Sequence, residues 1–113
     1  MSQITTHVLD TASGKPAAGI DLTLSQFIDN EWKLISGGTT NQDGRVSDLL
    51  AENRILEAGR YKILFVTEDY FQKQGIKAFY PYADVVFEIE GDGQHYHIPL
   101  LLSPFAYSTY RGS

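Results

Sequence analysis

Apolar and polar residues alternate along most of this chain with the period of a β-strand rather than that of a helix. Ile4-Thr5-Thr6-His7-Val8-Leu9 is rich in β-branched residues and predicts a first strand, closed by the turn chemistry of Asp10-Thr11-Ala12-Ser13-Gly14-Lys15-Pro16. A period of two puts His7 with Thr5 and Leu9 on one face, and Val8 with Thr6 on the other. From Ile20, the set Ile20, Leu22, Leu24 opposes Asp21, Thr23, Ser25, as in a half-buried strand. Asp29-Asn30-Glu31 then predicts a hairpin loop into Trp32-Lys33-Leu34-Ile35-Ser36.

Gly37-Gly38 and Asn41-Gln42-Asp43-Gly44 interrupt the next stretch, so Arg45-Val46-Ser47 is a short extended segment with Arg45 held beside a turn. Ala51 to Ala58 is expected to be a loop with one turn of helix. Tyr61 to Thr67 is a strand. Thr67 to Gly75 predicts a short helix, with a Thr cap, acids in its first turn and a Gly stop. Asp84 to Glu90 is a further strand, and Gly91-Asp92-Gly93 turns the chain into a closing hairpin.

About eight strands and one helix, with no internal repeat, predict a single all-β domain over residues 1–113: a two-sheet antiparallel sandwich. Immunoglobulin-like and other small sandwiches produce the same pattern, so periodicity leaves the topology open. A chain of this length buries roughly two thirds of its unfolded surface and sustains a core without staples. The sequence has no cysteine, which excludes disulfides and thiolate metal sites. A net charge of -5 with no local Lys/Arg cluster argues against nucleic acid. No stretch has the length of a membrane span, and Met1 to Asp10 lacks the pattern of a leader, so a cytoplasmic setting and no membrane partner are expected.

The chemistry gathers at the C-terminal end. His95 and His97 alternate, so they share a face with Pro99 and Leu101, while Tyr96, Ile98, Leu100 and Leu102 form the core face. After Ser103-Pro104, Ala106, Ser108 and Tyr110 lie on one face and Phe105, Tyr107, Thr109 and Arg111 on the other. Which of these matches the His97 face depends on the turn. A face carrying His7, His97, Leu9 and Leu101 is too apolar for plain surface and reads as a pocket or a subunit contact. His-X-His with His7 is also compatible with a three-histidine zinc site, and Arg45 with a solvated strand residue.

Two stretches resemble a known family. His7-Val8-Leu9-Asp10, three residues, then Gly14-Lys15-Pro16-Ala17 and Ile20 is similar to the N-terminal signature of the transthyretin family. Tyr96-His97-Ile98-Pro99, two residues, then Leu102-Ser103-Pro104-Phe105-Ala106-Tyr107-Ser108 is similar to its C-terminal one. The resemblance spans essentially the whole chain. It implies a transthyretin-like sandwich of two four-stranded sheets with one short helix, assembled as a homotetramer, a dimer of dimers around a central channel.

Within that family, the ending Tyr110-Arg111-Gly112-Ser113 resembles the 5-hydroxyisourate hydrolases rather than the hormone carriers, which have a lysine at His7, a threonine at His97 and an acidic residue at Arg45. The resemblance therefore implies hydrolysis of 5-hydroxyisourate to 2-oxo-4-hydroxy-4-carboxy-5-ureidoimidazoline in urate degradation, at the dimer–dimer interface and with no metal or cofactor. It implies His7, His97, Arg45 and Ser113 as catalytic residues, and His7, Arg45 and Tyr110 as substrate contacts. On this reading Tyr110 closes the channel, and the Ser113 hydroxyl or terminal carboxylate orients a histidine or Arg111. The alternative is a non-enzymatic carrier of a small aromatic ligand in the channel.

Overall fold

The computed structural model describes residues 2–113. Nine strands and one helix follow in the order β1 (Ile4–Asp10), β2 (Lys15–Pro16), β3 (Asp21–Ile28), β4 (Glu31–Thr39), β5 (Arg45–Val46), β6 (Gly59–Val66), α1 (Glu68–Gln72), β7 (Ala83–Ile89), β8 (Tyr96–Ser103) and β9 (Ala106–Thr109). They form two packed sheets. One has the order β4-β3-β6-β7; the other has β2-β1-β8-β9, with β5 also pairing along β1. The sandwich is therefore five strands on four rather than four on four, because the short β2 and β5 share the outer edge of β1.

One pairing departs from the antiparallel expectation. β1 and β8 run parallel, with Thr5 opposite His97 and His7 opposite Pro99. Alternation specifies which face a side chain takes but not the direction of the neighbouring strand. Here the chain leaves β7 in one sheet and enters β8 in the other, alongside β1. Parallel partners need a long crossover. In this protein that crossover is most of the domain.

The inward faces supply the core expected from the pattern. Ile4, Val8, Leu22, Leu24, Tyr61, Ile63, Phe65, Leu100 and Leu102 are buried, and Phe71 of α1 seals one end. Asp29 and Asn30 both take positive φ, of 53° and 63°, in the two-residue turn joining β3 to β4. Such turns match the right-handed strand twist, and Asn and Asp tolerate the conformation.

α1 ends near Gly75, which takes a φ of 69°, but Thr67 makes no side-chain cap bond. Thr67 is instead buried at the end of β6. The stretch from Ala51 to Ala58 makes one hydrogen-bonded turn, Arg54 N–H to Ala51 C=O at 3.0 Å, and no helix. It is tied to the N-terminal end of β1: the Leu50 and Leu56 amides donate to Ser2 Oγ (3.0 Å) and Gln3 Oε1 (2.8 Å).

Candidate active site

The site is built on the outward face of the β5-β1-β8 sheet. Arg45 arrives through the Asn41–Gly44 turn. Asn41 Oδ1 accepts the Asp43 and Arg45 amides at 2.9 and 3.0 Å, and the Gly44 amide donates to the Asn41 carbonyl at 2.9 Å. Gly44 has a φ of 73°, and a Cβ there would collide with the Val8 carbonyl. Only glycine lets this turn approach β1 so closely. The approach sets Arg45 directly across from His7.

His97 sits on the other side of β1, across from Thr5. Its ring is held from two directions. Thr5 Oγ1 lies 2.8 Å from His97 Nδ1, and the same hydroxyl lies 3.0 Å from His95 Nε2. The two imidazoles are near-parallel, with centroids 6.5 Å apart and 17° between their planes. From above, Gly112 forms an antiparallel bridge to His97, its amide donating to the His97 carbonyl at 2.9 Å.

Thr5, Thr6, Arg45, Val46, Ser47, His95, His97 and Ser113 line one cleft of about 250 Å³. His7 flanks it, one side-chain step from Thr5 on the same face of β1. Of the residues singled out from the sequence, His7, Arg45, His97 and Ser113 thus converge. Tyr110 does not join them within one chain: it is 58 % exposed and lines an adjoining groove with Val85, Phe87, Tyr96 and the other side of His97. The β8–β9 register, with Leu101 opposite Ser108, assigns Ala106 and Ser108 to the His97 face. Arg111 pairs with neither Ser113 nor a histidine ring; it donates to Gln94 Oε1 at 2.6 Å and stacks over the Tyr96 ring.

Both central histidines are held below the ordinary histidine value of 6.5. For His97 the main cause is burial, followed by repulsion from Arg45, His95 and His7, with the Thr5 backbone opposing. For His7 it is burial and then Arg45, opposed by the Asp43 backbone and carboxylate. The consequence is two neutral imidazoles near pH 7 beside a guanidinium that remains charged. Neutral imidazole accepts a proton, and the Arg fork binds a planar anionic or carbonyl-rich group.

Thr5 was not singled out from the sequence as functional, and His95 entered only as a candidate zinc ligand. Alternation put Thr5 on the His7 face and His95 on the His97 face, but only the parallel β1–β8 register brings the hydroxyl between the two rings. Among the described residues, no group of three or more His, Cys, Asp or Glu side chains is arranged to hold a metal ion.

The HIUase/Transthyretin family model matches residues 4–112. The chain belongs to that family. It is 49% identical over 114 residues to a mouse 5-hydroxyisourate hydrolase, covering 99% of this chain and 96% of the relative. It is 44% identical over 117 residues to the 5-hydroxyisourate hydrolase of Ralstonia nicotianae, with full coverage of both. Among solved structures, sea bream transthyretin in complex with thyroxine superposes with a TM-score of 0.92 at 35% identity, covering 98% of this chain and 95% of that one. Klebsiella pneumoniae 5-hydroxyisourate hydrolase superposes with a TM-score of 0.86 at 36% identity, covering 97% and 98%. A thyroxine-bound transthyretin and a hydrolase thus share this family's fold, so function rests on the side chains in the cleft.

Proposed function

We infer that this chain is a 5-hydroxyisourate hydrolase, opening the lactam of its substrate with water to give 2-oxo-4-hydroxy-4-carboxy-5-ureidoimidazoline in urate degradation. The observation that carries the reading is the placement of His97 and Arg45 in one cleft with His7 beside it, across from Arg45, the two imidazoles neutral and the guanidinium charged. Hydrolysis needs a base for the water, a proton for the departing nitrogen and positive charge near the developing oxyanion. His97 takes one proton of the attacking water, His7, neutral at rest, accepts the other from the tetrahedral intermediate and passes it to the departing nitrogen, and Arg45 holds the substrate and stabilises the oxyanion. Ser113 closes the rim of the cleft.

Assembly as a dimer of dimers, in the cytoplasm, belongs to the same reading. The outer edges of β7 and β9 end their sheets unpaired, and Phe79, Phe105 and Tyr110 are exposed. Open strand edges and exposed aromatics favour association of copies. In such an assembly Tyr110 reaches the cleft of a neighbouring copy and narrows the channel.

The test is to generate 5-hydroxyisourate in a cuvette with urate oxidase and follow its ultraviolet decay with and without this protein. The expected result is accelerated decay that a chelator leaves unchanged. Saturable binding of an aromatic ligand without any acceleration would favour the carrier reading, which the fold shared with a thyroxine-bound transthyretin keeps in view. Activity lost on chelation would instead point to a metal.

A further inference from the structure

Thr5 is buried, near the start of β1, yet its hydroxyl is shared between two imidazole nitrogens: His97 Nδ1 at 2.8 Å and His95 Nε2 at 3.0 Å. A hydroxyl has one proton to donate and lone pairs to accept with. It therefore cannot donate to both rings at once. If it donates to His95 Nε2, it accepts from His97 Nδ1–H, and His97 then presents a lone pair at Nε2. If it donates to His97 Nδ1, the roles reverse and His97 carries its proton on Nε2. The two arrangements differ only by protons moved along three atoms already within hydrogen-bond distance of one another, Nδ1 to Oγ1 and Oγ1 to Nε2.

We propose that Thr5 and His95 are positioning residues for His97, forming a proton relay that carries charge from the cleft to the protein surface. This rests on the reading of His97 as the base that activates water. In the resting state His97 Nδ1–H donates to Thr5, and Thr5 donates to His95 Nε2. As water attacks the substrate carbonyl carbon, its proton bonds to His97 Nε2 and the Nδ1–H bond breaks. That proton joins Thr5 Oγ1 while the proton already on the hydroxyl passes to His95 Nε2. The water oxygen is now bonded to carbon, His97 is neutral in the opposite tautomer, Thr5 is again a hydroxyl, and His95 carries the positive charge.

The environment explains why such a relay is useful. A cation on His97 would sit half-buried, facing Arg45 from β5 and His7 from β1. Burial and those neighbours all disfavour it. His95 is exposed, and it lines both the cleft and a second, shallower surface pocket with Ser2, Gln3 and Gly93. A proton moved there rests on an exposed ring that meets water.

The decisive comparison uses Thr5→Val, which keeps the β-branched shape and removes the hydroxyl, and Thr5→Ser, which keeps the hydroxyl. Turnover of 5-hydroxyisourate, circular dichroism and the pH profile are measured for both, for His95→Gln, for the Thr5→Val/His95→Gln double variant, and for His97→Gln. The relay predicts that Thr5→Val lowers kcat roughly tenfold to a hundredfold with little change in KM, and that Thr5→Ser restores most of it. His95→Gln lowers kcat less, and the double variant is no slower than Thr5→Val alone, because His95 acts only through the hydroxyl. Long-range nitrogen–proton NMR of the histidines reports the tautomer without any turnover. It should show the Nδ1–H form of His97 in the native protein and a mixed population in Thr5→Val.

Native kcat in Thr5→Val, multiplicative losses in the double variant, or an Nε2–H tautomer of His97 in the native protein would overturn the relay. If His97→Gln were itself fully active, the assignment of His97 as base would fall first, and the relay with it. An inactive His97→Gln beside a fully active Thr5→Val sinks the relay alone.

Discussion

Gly112 rests on the imidazole of His97. Its amide donates to the His97 carbonyl at 2.9 Å, and a Cβ built on Gly112 would stand 2.6 Å from His97 Cδ2 and 3.2 Å from Pro99 Cγ. No real side chain sustains such an approach, so a Gly112→Ala variant must push the ring or lift the tail. Arg111 ties that tail to Gln94 and Tyr96 while Thr5 holds the ring, so either adjustment disturbs the seat of the imidazole. Gly112→Ala is expected to lower kcat/KM by roughly tenfold to a hundredfold while leaving the melting temperature within a few degrees of native. Steady-state assays and a thermal melt on the same preparation check both halves.

His7 and His97 approach the cleft from adjacent parallel strands, and each is assigned one proton transfer. Replacing either by alanine should cost roughly a hundredfold to ten-thousandfold in turnover. Size-exclusion chromatography should show the native assembly in both variants. Near-native turnover in one of them would remove that residue from its assigned role.

Because burial and Arg45 hold both histidines below 6.5, activity is expected to stay high from neutral pH down through 6.5 and to fall only on the acid side of that value. Arg45→Gln removes a repulsive charge from both rings, so both should titrate at higher pH than in the native protein. Proton NMR titration of the imidazole C–H signals in the free protein measures this directly. An unmoved titration would show that Arg45 does not act on these rings through charge.

The same depression bears on stability. Between the folded value and 6.5 the unfolded chain binds more protons at His7 and His97 than the folded one does. Stability contributed by these sites is therefore intact above about pH 6.5 and is lost as the pH falls from there toward the folded values. Urea unfolding at a series of pH values should show a midpoint that declines over that window.

Asp10 ends β1 and ties three parts of the molecule together. One oxygen accepts the Ala12 and Ser13 amides at 3.0 and 3.1 Å, and the other accepts the Tyr70 hydroxyl of α1 at 2.8 Å. Burial, reinforced by that hydrogen bond, raises the Tyr70 phenol above its usual range. Asp10→Ala removes the acceptor of three part-buried hydrogen bonds and should cost about 1–3 kcal/mol, whereas Tyr70→Phe, which removes one, should cost about 0.5–1.5 kcal/mol. Equilibrium unfolding of the two variants measures the difference.

Much of this protein is legible along the chain. Alternation at period two assigned the core face of β1, β3 and β8 correctly, because which side of a sheet a residue takes follows from its position in the strand and from nothing farther away. Asp29-Asn30 and Gly75 marked real chain reversals, since each of those residues tolerates a backbone conformation that others avoid. The paired signatures around His7 and His97 pointed to the family and to its chemistry, because such spacing survives as residues on one strand. Thr67 as a side-chain cap and a helical turn within Ala51 to Ala58 were misread, as tertiary packing draws Thr67 into the interior and ties the loop to Ser2 and Gln3.

Other features depend on contacts between residues some ninety positions apart in the chain, as with Thr5 and His97. The parallel direction of β1 and β8, the placement of Arg45 opposite His7, and the seat of Gly112 against His97 are set by how strands dock. Strand direction and register are cooperative results of packing both sheets at once, with no local residue code. Local chemistry therefore chose the residues and the face they occupy. Docking of β1 between β5 and β8 made them one site, and hung two histidines on a single threonine hydroxyl.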